Sequence, residues 1–202
     1  MPRVSREQTD HNRIAITEAS ARLFREQGVD KVSVAELMAA AGLTHGGFYG
    51  HFESKEKLAG EACRWAFEQS AERWEKRIAD KGDRSAARAA LTNNYLSAHA
   101  RSGADGSCPA TMFAADVARN SADAPIRAAY VAGLEELLKI LASVQETGAA
   151  RGDREAALAD LATMVGGLIL AKATQGEPIS DEILAAARRR LKSYRPTRAS
   201  KG

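Results

Sequence analysis

The chain is poor in the residues on which several kinds of protein depend. Two cysteines, Cys63 and Cys108, among 202 residues are too few for a disulfide framework and stand at no metal-ligand spacing, which predicts a reducing compartment. Aromatics make up only 5%, and alternating Val/Thr/Tyr runs are missing, so no strand is predicted. There is no H-E-x-x-H, no paired Cys-x-x-Cys and no phosphate-binding loop; GLTHGGFYG is glycine-rich, but no strand precedes it and no Gly-Lys-Ser/Thr closes it. No apolar run approaches the roughly 20 residues of a membrane span, and MPRVSREQTDHNR lacks the apolar core of a secretion signal. A soluble, cytoplasmic protein without metal or cofactor is expected. A helical enzyme would have to draw on His11, His45, His51, His99, the cysteines and scattered carboxylates, and a bundle that binds only a protein partner stays open beside it.

Positive charge is also scarce where a nucleic-acid binder would need it. The net charge is +3, yet residues 1–60 carry eight Lys/Arg against eight Asp/Glu, residues 61–183 carry 14 against 18, and residues 184–202 carry seven against none. The excess therefore sits in residues 184–202, the last eight of which, 195–202, form a basic tail expected to be disordered. Bulk charge does not establish DNA binding, and local placement has to.

What is present is helix-forming: Ala, Leu, Glu, Lys and Arg dominate, and an all-α fold is predicted. Ile16, Ala19, Ser20, Leu23 and Phe24 recur at i, i+3, i+4, i+7 and i+8, one stripe of a first helix, and Gly28 follows as its stop. Ser33 and Glu36 make the capping-box pattern S-V-A-E before a second helix whose Val34, Leu37, Met38 and Ala41 share a face. Ala41-Gly42-Leu43 breaks that helix, Thr44 offers a new N-cap, and a brief third helix directs Phe48 and Phe52 to the same core. Ser54 caps a long fourth helix ending near Gly82. Further helices are predicted over about 84–101, 109–120, 124–149, 153–175 and 180–194, making about nine. No Pro/Gly/Ser-rich hinge interrupts them, so the border between a small module, 1–53, and a larger one, 54–194, is placed near residue 53.

Two short helices joined by a tight Ala-Gly-Leu turn, with a preceding helix packed across them, form a helix-turn-helix, whose second member lies in the major groove. Purely structural bundles also contain that geometry. The residues themselves carry the reading further. Leu23-Phe24, Gly28, S-V-A-E-L, A-G-L-T, F-Y-G-H-F and S-K-E-K-L, spread over residues 14–58, resemble the TetR family of bacterial transcriptional repressors. Beyond residue 60 the resemblance is one of length and helix layout.

The resemblance implies a three-helix head for double-stranded operator DNA. The larger helical part would bind a small-molecule effector and form a homodimer. The simplest regulator of this kind is a repressor released by a small hydrophobic or electrophilic effector. With Phe48 and Phe52 inward, Tyr49 and His51 face outward, where a phenol and an imidazole can donate to phosphate oxygens. Lys55, in the first turn of the next helix, makes a second phosphate clamp. The family's matching positions commonly touch the DNA backbone. Gly46, Gly47 and Gly50 fall where relatives often place larger side chains. Glycine there lets the helix approach the groove closely and leaves Thr44 and His45 as the main base-contact candidates. Ser33 is counted with this surface, and Arg3 and Arg6 would enter a minor groove.

In the larger part, Leu158, Leu161, Val165, Leu168 and Ile169 form an apolar face interrupted by Gly166-Gly167, and Ile183, Leu184, Ala187 and Leu191 form another. Two such helices from each subunit predict a four-helix dimer interface, with intrachain core as the alternative. Tyr95 and His99 share a helix face with Leu91, while Cys108, Met112 and Phe113 crowd the next helix start. They are the predicted effector pocket, for a hydrophobic or aromatic ligand, again with plain core as the alternative. Cys108, in G-S-C-P, reads either as a thiolate sensor at a helix start or as a packing residue. Cys63 reads as packing.

Overall fold

The computed structural model describes residues 6–103, 108–146 and 149–193; Arg3 and the tail from residue 195 lie outside them. Among the described residues there are ten α-helices, one 3-10 helix and no strand. In chain order they are α1 (Arg6–Gln27), α2 (Val34–Ala40), the 3-10 helix (His45–Gly50), α3 (Lys55–Ala79), α4 (Arg84–Tyr95) and α5 (Ala98–Ser102). Then come α6 (Pro109–Met112), α7 (Ala114–Arg119), α8 (Pro125–Ser143), α9 (Ala150–Ala173) and α10 (Pro178–Ser193). The described residues up to Gln69, with Met112–Gly133, make one compact unit; Ser70–Thr111, with those from Leu134 onward, make a second.

In the first unit the predicted stripe is buried except for Leu23, which is half-buried; Ile16, Ser20 and Phe24 are inaccessible and Ala19 nearly so. Leu37, Met38 and Phe48 are equally inaccessible, so the three short elements share one apolar core. Two glycines set the turns between them. Gly28 has φ 91° and its amide donates to the Phe24 carbonyl at 2.9 Å, while Gly42 has φ 72° just before the Leu43 amide reaches the Met38 carbonyl at 2.9 Å. Both lie in the left-handed region that a Cβ disfavours. The capping box forms as the spacing predicts: the Ser33 amide donates to Glu36 Oε2 at 2.7 Å, and the Glu36 amide donates to Ser33 Oγ at 3.2 Å. Gly133 holds a different kind of constraint, since a Cβ there would overlap Phe67, whose ring also meets Tyr130 edge-on at 5.4 Å.

In the second unit α10 packs along α9, and α4 packs on both. Gly167 permits that approach: a Cβ on it would lie 3.1 Å from Ala187 Cβ and 3.2 Å from Leu96 Cδ2. A buried polar knot ties α4, α9 and α10 together. Arg88 makes two parallel bonds to Asp160, at 2.6 and 2.8 Å, and donates to the Leu191 carbonyl at 2.9 Å; Gln145 donates to Asp160 Oδ2 at 2.9 Å.

Three expectations need correction. The helix predicted over 84–101 breaks at Leu96, and Ser97 caps α5 by accepting the Ala100 amide at 3.1 Å. The helix predicted over 109–120 breaks at Phe113. And α9 contains an 18-residue window apolar enough to cross a membrane by composition.

Candidate nucleic-acid interface and ligand cavity

The surface of the helix-turn-helix is built from the core outward. Phe48 and Phe52 stack with ring centroids 6.0 Å apart and are both buried, which turns the residue between Phe48 and Gly50 away from the core. That residue is Tyr49, 73% exposed. Thr44, His45, Gly46 and Gly50 are exposed around it, and Gly47 is half-buried. Thr44 is the N-cap residue, yet its side chain makes no cap hydrogen bond, which leaves the hydroxyl available to an outside partner. The element is a 3-10 helix, tighter than an α-helix. Ser33 is exposed but its hydroxyl is engaged with Glu36, whose carboxyl that bond holds below the usual range. Arg6 is exposed at the start of α1.

The glycines are informative here. Gly46, Gly47 and Gly50 do not occupy the left-handed region, and a Cβ on Gly46 or Gly50 would meet nothing within 4 Å; on Gly47 it would make an ordinary contact with Met38 at 3.6 Å. Neither backbone conformation nor internal packing requires these three residues.

Two predicted phosphate donors are less free than expected. His51 is half-buried, and its Nδ1 is enclosed without a partner. That leaves only its other nitrogen as a candidate donor. Arg13 donates to the His51 carbonyl and to Glu61 Oε1 and stacks 4.2 Å over the Phe52 ring. This clamp, unanticipated from sequence, ties the end of the 3-10 helix to α1 and α3. Lys55 is half-buried and its Nζ lies 3.5 Å from the Asp30 carbonyl, a bond long enough to yield to a phosphate.

A cavity of about 60 Å³ lies within the second unit. Tyr95, His99 and Cys108 line it as predicted. Met112 and Phe113 do not: Met112 borders a separate groove beside Gly28, Asp116 and Arg119, and Phe113 is fully buried. Four lining residues on α3 escaped the sequence reading, namely Ser70, Arg73, Trp74 and Arg77. Their i, i+3, i+4 and i+7 spacing was visible, but nothing in it distinguished a cavity wall from a solvated face. Trp74 meets Tyr95 edge-on with ring centroids 6.0 Å apart, and the Tyr95 hydroxyl is 3.0 Å from Thr111 Oγ1. Cys108 is buried, and that burial pushes its thiol up from the usual value despite hydrogen bonds from Tyr95 and neighbouring groups. A thiolate sensor is the opposite of what this site favours. Cys63, also buried, is pushed up to about 12.

The segment that carries the helix-turn-helix is also where known proteins match. The model of bacterial regulatory proteins, tetR family, matches residues 16–62. The HTH-type transcriptional regulator AcrR of Shigella flexneri is 36% identical over 70 residues, covering 35% of this chain and 32% of that protein. Thus the matched stretch spans about a third of the curated relative. Over nearly the whole chain, a TetR transcriptional regulator from Chloroflexus aurantiacus J-10-FL superposes with TM-score 0.74 at 28% identity, covering 93% of this chain and 96% of that one.

By these matches the chain resembles the TetR family, through residues 16–62 in sequence and over most of its length in fold.

A further solved structure, reduced NemR of E. coli, superposes with TM-score 0.76 at 20% identity over 90% of this chain and 95% of that one, a likeness of fold. Within this fold the predicted dimer residues divide in two. Leu161, Leu168, Leu184, Ala187 and Leu191 are buried inside the second unit and belong to its core. Leu158 and Ile169 are 46% and 39% exposed, while Val165 and Ile183 are half-buried. With exposed Ala162 these make an outward seam on α9, 158-162-165-169, and Ile179, Ile183 and Ala186 repeat the spacing on α10. Gly166 adds open space beside that seam, because a Cβ there would meet nothing within 4 Å.

Proposed function

We propose that this chain is a ligand-responsive DNA-binding regulator of the TetR family, a cytoplasmic repressor without enzymatic activity, released from its operator by a small molecule. The observation that carries the reading is the set of Thr44, His45 and Tyr49, exposed at a 3-10 helix whose three glycines neither the backbone conformation nor the packing requires. A surface cleared of side chains between hydrogen-bonding ones suits close approach to a groove. Tyr49, His51 through its free nitrogen, and Lys55 would hold phosphates and set orientation; Thr44 and His45 would reach base edges. Arg6 would extend the contact along the duplex, together with Arg3. In this assignment the DNA-binding head is residues 1–53.

The outward seams of α9 and α10 would pair with those of a second copy, giving two heads whose spacing fits successive major grooves. The cavity of the second unit would hold the effector, which must bind one arrangement of the heads better than the other. The test is fluorescence anisotropy of the full chain on duplexes selected from a random-sequence pool. Enrichment of a palindromic site, bound by a dimer, is the expected result. Failure to bind duplex DNA above the level of an unrelated helical protein of equal charge would contradict the reading and favour a bundle that serves a protein partner.

A further inference from the structure

The cavity in the second unit carries an unbalanced charge. Its wall contains the guanidinium groups of Arg73 and Arg77 and no carboxylate. The two arginines are four residues apart on α3, so their side chains leave the same helix face and repel one another. Both are half-buried. Among the described residues neither has a hydrogen-bond or ion-pair partner, and Asp80, three residues beyond Arg77, forms no ion pair with it. Three arginines of this unit do have carboxylate partners: Arg88 in Asp160, Arg101 in Asp181, Arg154 in Glu135. The Asn94 side-chain amide faces the same space and likewise has no partner among the described residues.

The lining also contains large apolar side chains. Trp74, Tyr95 and Leu168 are all buried, and the Tyr95 hydroxyl is already engaged by Thr111, so Tyr95 offers its ring and not a donor. Guanidinium forks match the planar, two-oxygen geometry of a carboxylate. The void of about 60 Å³ is partly open to solvent, so a small organic molecule larger than the void would sit partly outside it.

We propose that this cavity binds a small organic acid, its carboxylate held between Arg73 and Arg77 with the Asn94 amide as a further donor, and its apolar part against Trp74, Tyr95 and Leu168. The assignment deepens the effector role given to the cavity and rests on that reading for its regulatory meaning. The hydrophobic effector expected from sequence is thereby replaced by an amphipathic anion.

Isothermal titration of the full chain with matched acids and amides tests it: benzoate against benzamide, butyrate against butyramide, and inorganic phosphate alongside. At least one acid binds saturably and at least tenfold more tightly than its amide or phosphate. Arg73→Gln and Arg77→Gln each weaken that acid at least tenfold and leave amide binding unchanged, with circular dichroism confirming the fold of both. The assignment is overturned if no acid exceeds its amide, if phosphate binds as well as the best acid, or if both variants keep wild-type affinity. DNA affinity measured with and without the same acid separates the two readings. Acid binding that leaves DNA affinity unchanged would sink the effector role and keep the anion site. Release from DNA by the neutral amides alone would keep the effector role and sink the anion site.

Discussion

Replacing Asp160 with asparagine should be among the most damaging single changes to the second unit. Asp160 is 2% exposed and Arg88 17%, so both charges of this bidentate pair are largely out of water. Asparagine keeps the volume but removes the negative charge, leaving the Arg88 guanidinium in a low-dielectric site and setting one of its N–H groups against the new amide. Breaking one side of such a buried pair costs about 3–5 kcal/mol. Arg88 retains the Leu191 carbonyl, and Gln145 retains one oxygen, which places the expected loss at the lower end, about 3 kcal/mol. For a chain of this size that is a fall in Tm of about 10 °C. Urea unfolding followed by circular dichroism, with calorimetry for Tm, reads both quantities. The paired change Arg88→Met with Asp160→Leu should recover most of the loss, because no buried charge then remains. A loss below about 1 kcal/mol in Asp160→Asn would refute the idea that this pair is desolvated and unable to find other partners.

Gly133→Ala should destabilise the first unit by about 1–3 kcal/mol, since its Cβ would overlap Phe67 and force the ring to move; a wild-type denaturation midpoint would show that the contact relaxes freely. The raised thiols of Cys63 and Cys108 predict negligible alkylation by iodoacetamide at pH 8 in the folded protein and rapid reaction in urea, and mass spectrometry showing fast native labelling of Cys108 would restore the sensor. Arg13→Ala removes bonds to the His51 carbonyl and Glu61 together with the stacking on Phe52, and should cost about 1–2 kcal/mol of stability because the site is partly solvated. DNA affinity should fall more than stability does, because the 3-10 helix loses its anchor. Equal DNA binding by Arg13→Ala and wild type would deny the clamp any positioning role.

Much of the head was legible because its signals are local. Ser33 and Glu36 announce a cap within four residues, and Gly28 and Gly42 announce left-handed turns; each interaction closes within one helical turn of the residue that signals it. Phe48 and Phe52 were readable for the same reason. The Arg13 clamp was not, since it joins residues 38 and 48 positions apart through a carbonyl and a carboxylate that carry no pattern. Nor could spacing tell 3-10 from α over a six-residue element. On α9 the difficulty was different. Apolar residues occur all round that helix, so periodicity gave no means of separating Leu161 and Leu168, which meet α10 and the core, from Leu158 and Ile169, which face out. The cavity was half legible: Tyr95 and His99 stand out as rare residue types, whereas Arg73 and Arg77 are meaningful only because no acid reaches them in three dimensions.

The salt dependence of DNA affinity tests the central claim most directly. For the selected duplex and for an unrelated one, wild type, Lys55→Ala and Tyr49→Ala are compared between about 50 and 200 mM salt. The account predicts weaker binding of both duplexes by both variants, a log–log salt slope reduced by about one in Lys55→Ala, and an unchanged slope in Tyr49→Ala, whose phenol is neutral. Wild-type affinities and slopes in both variants would contradict it.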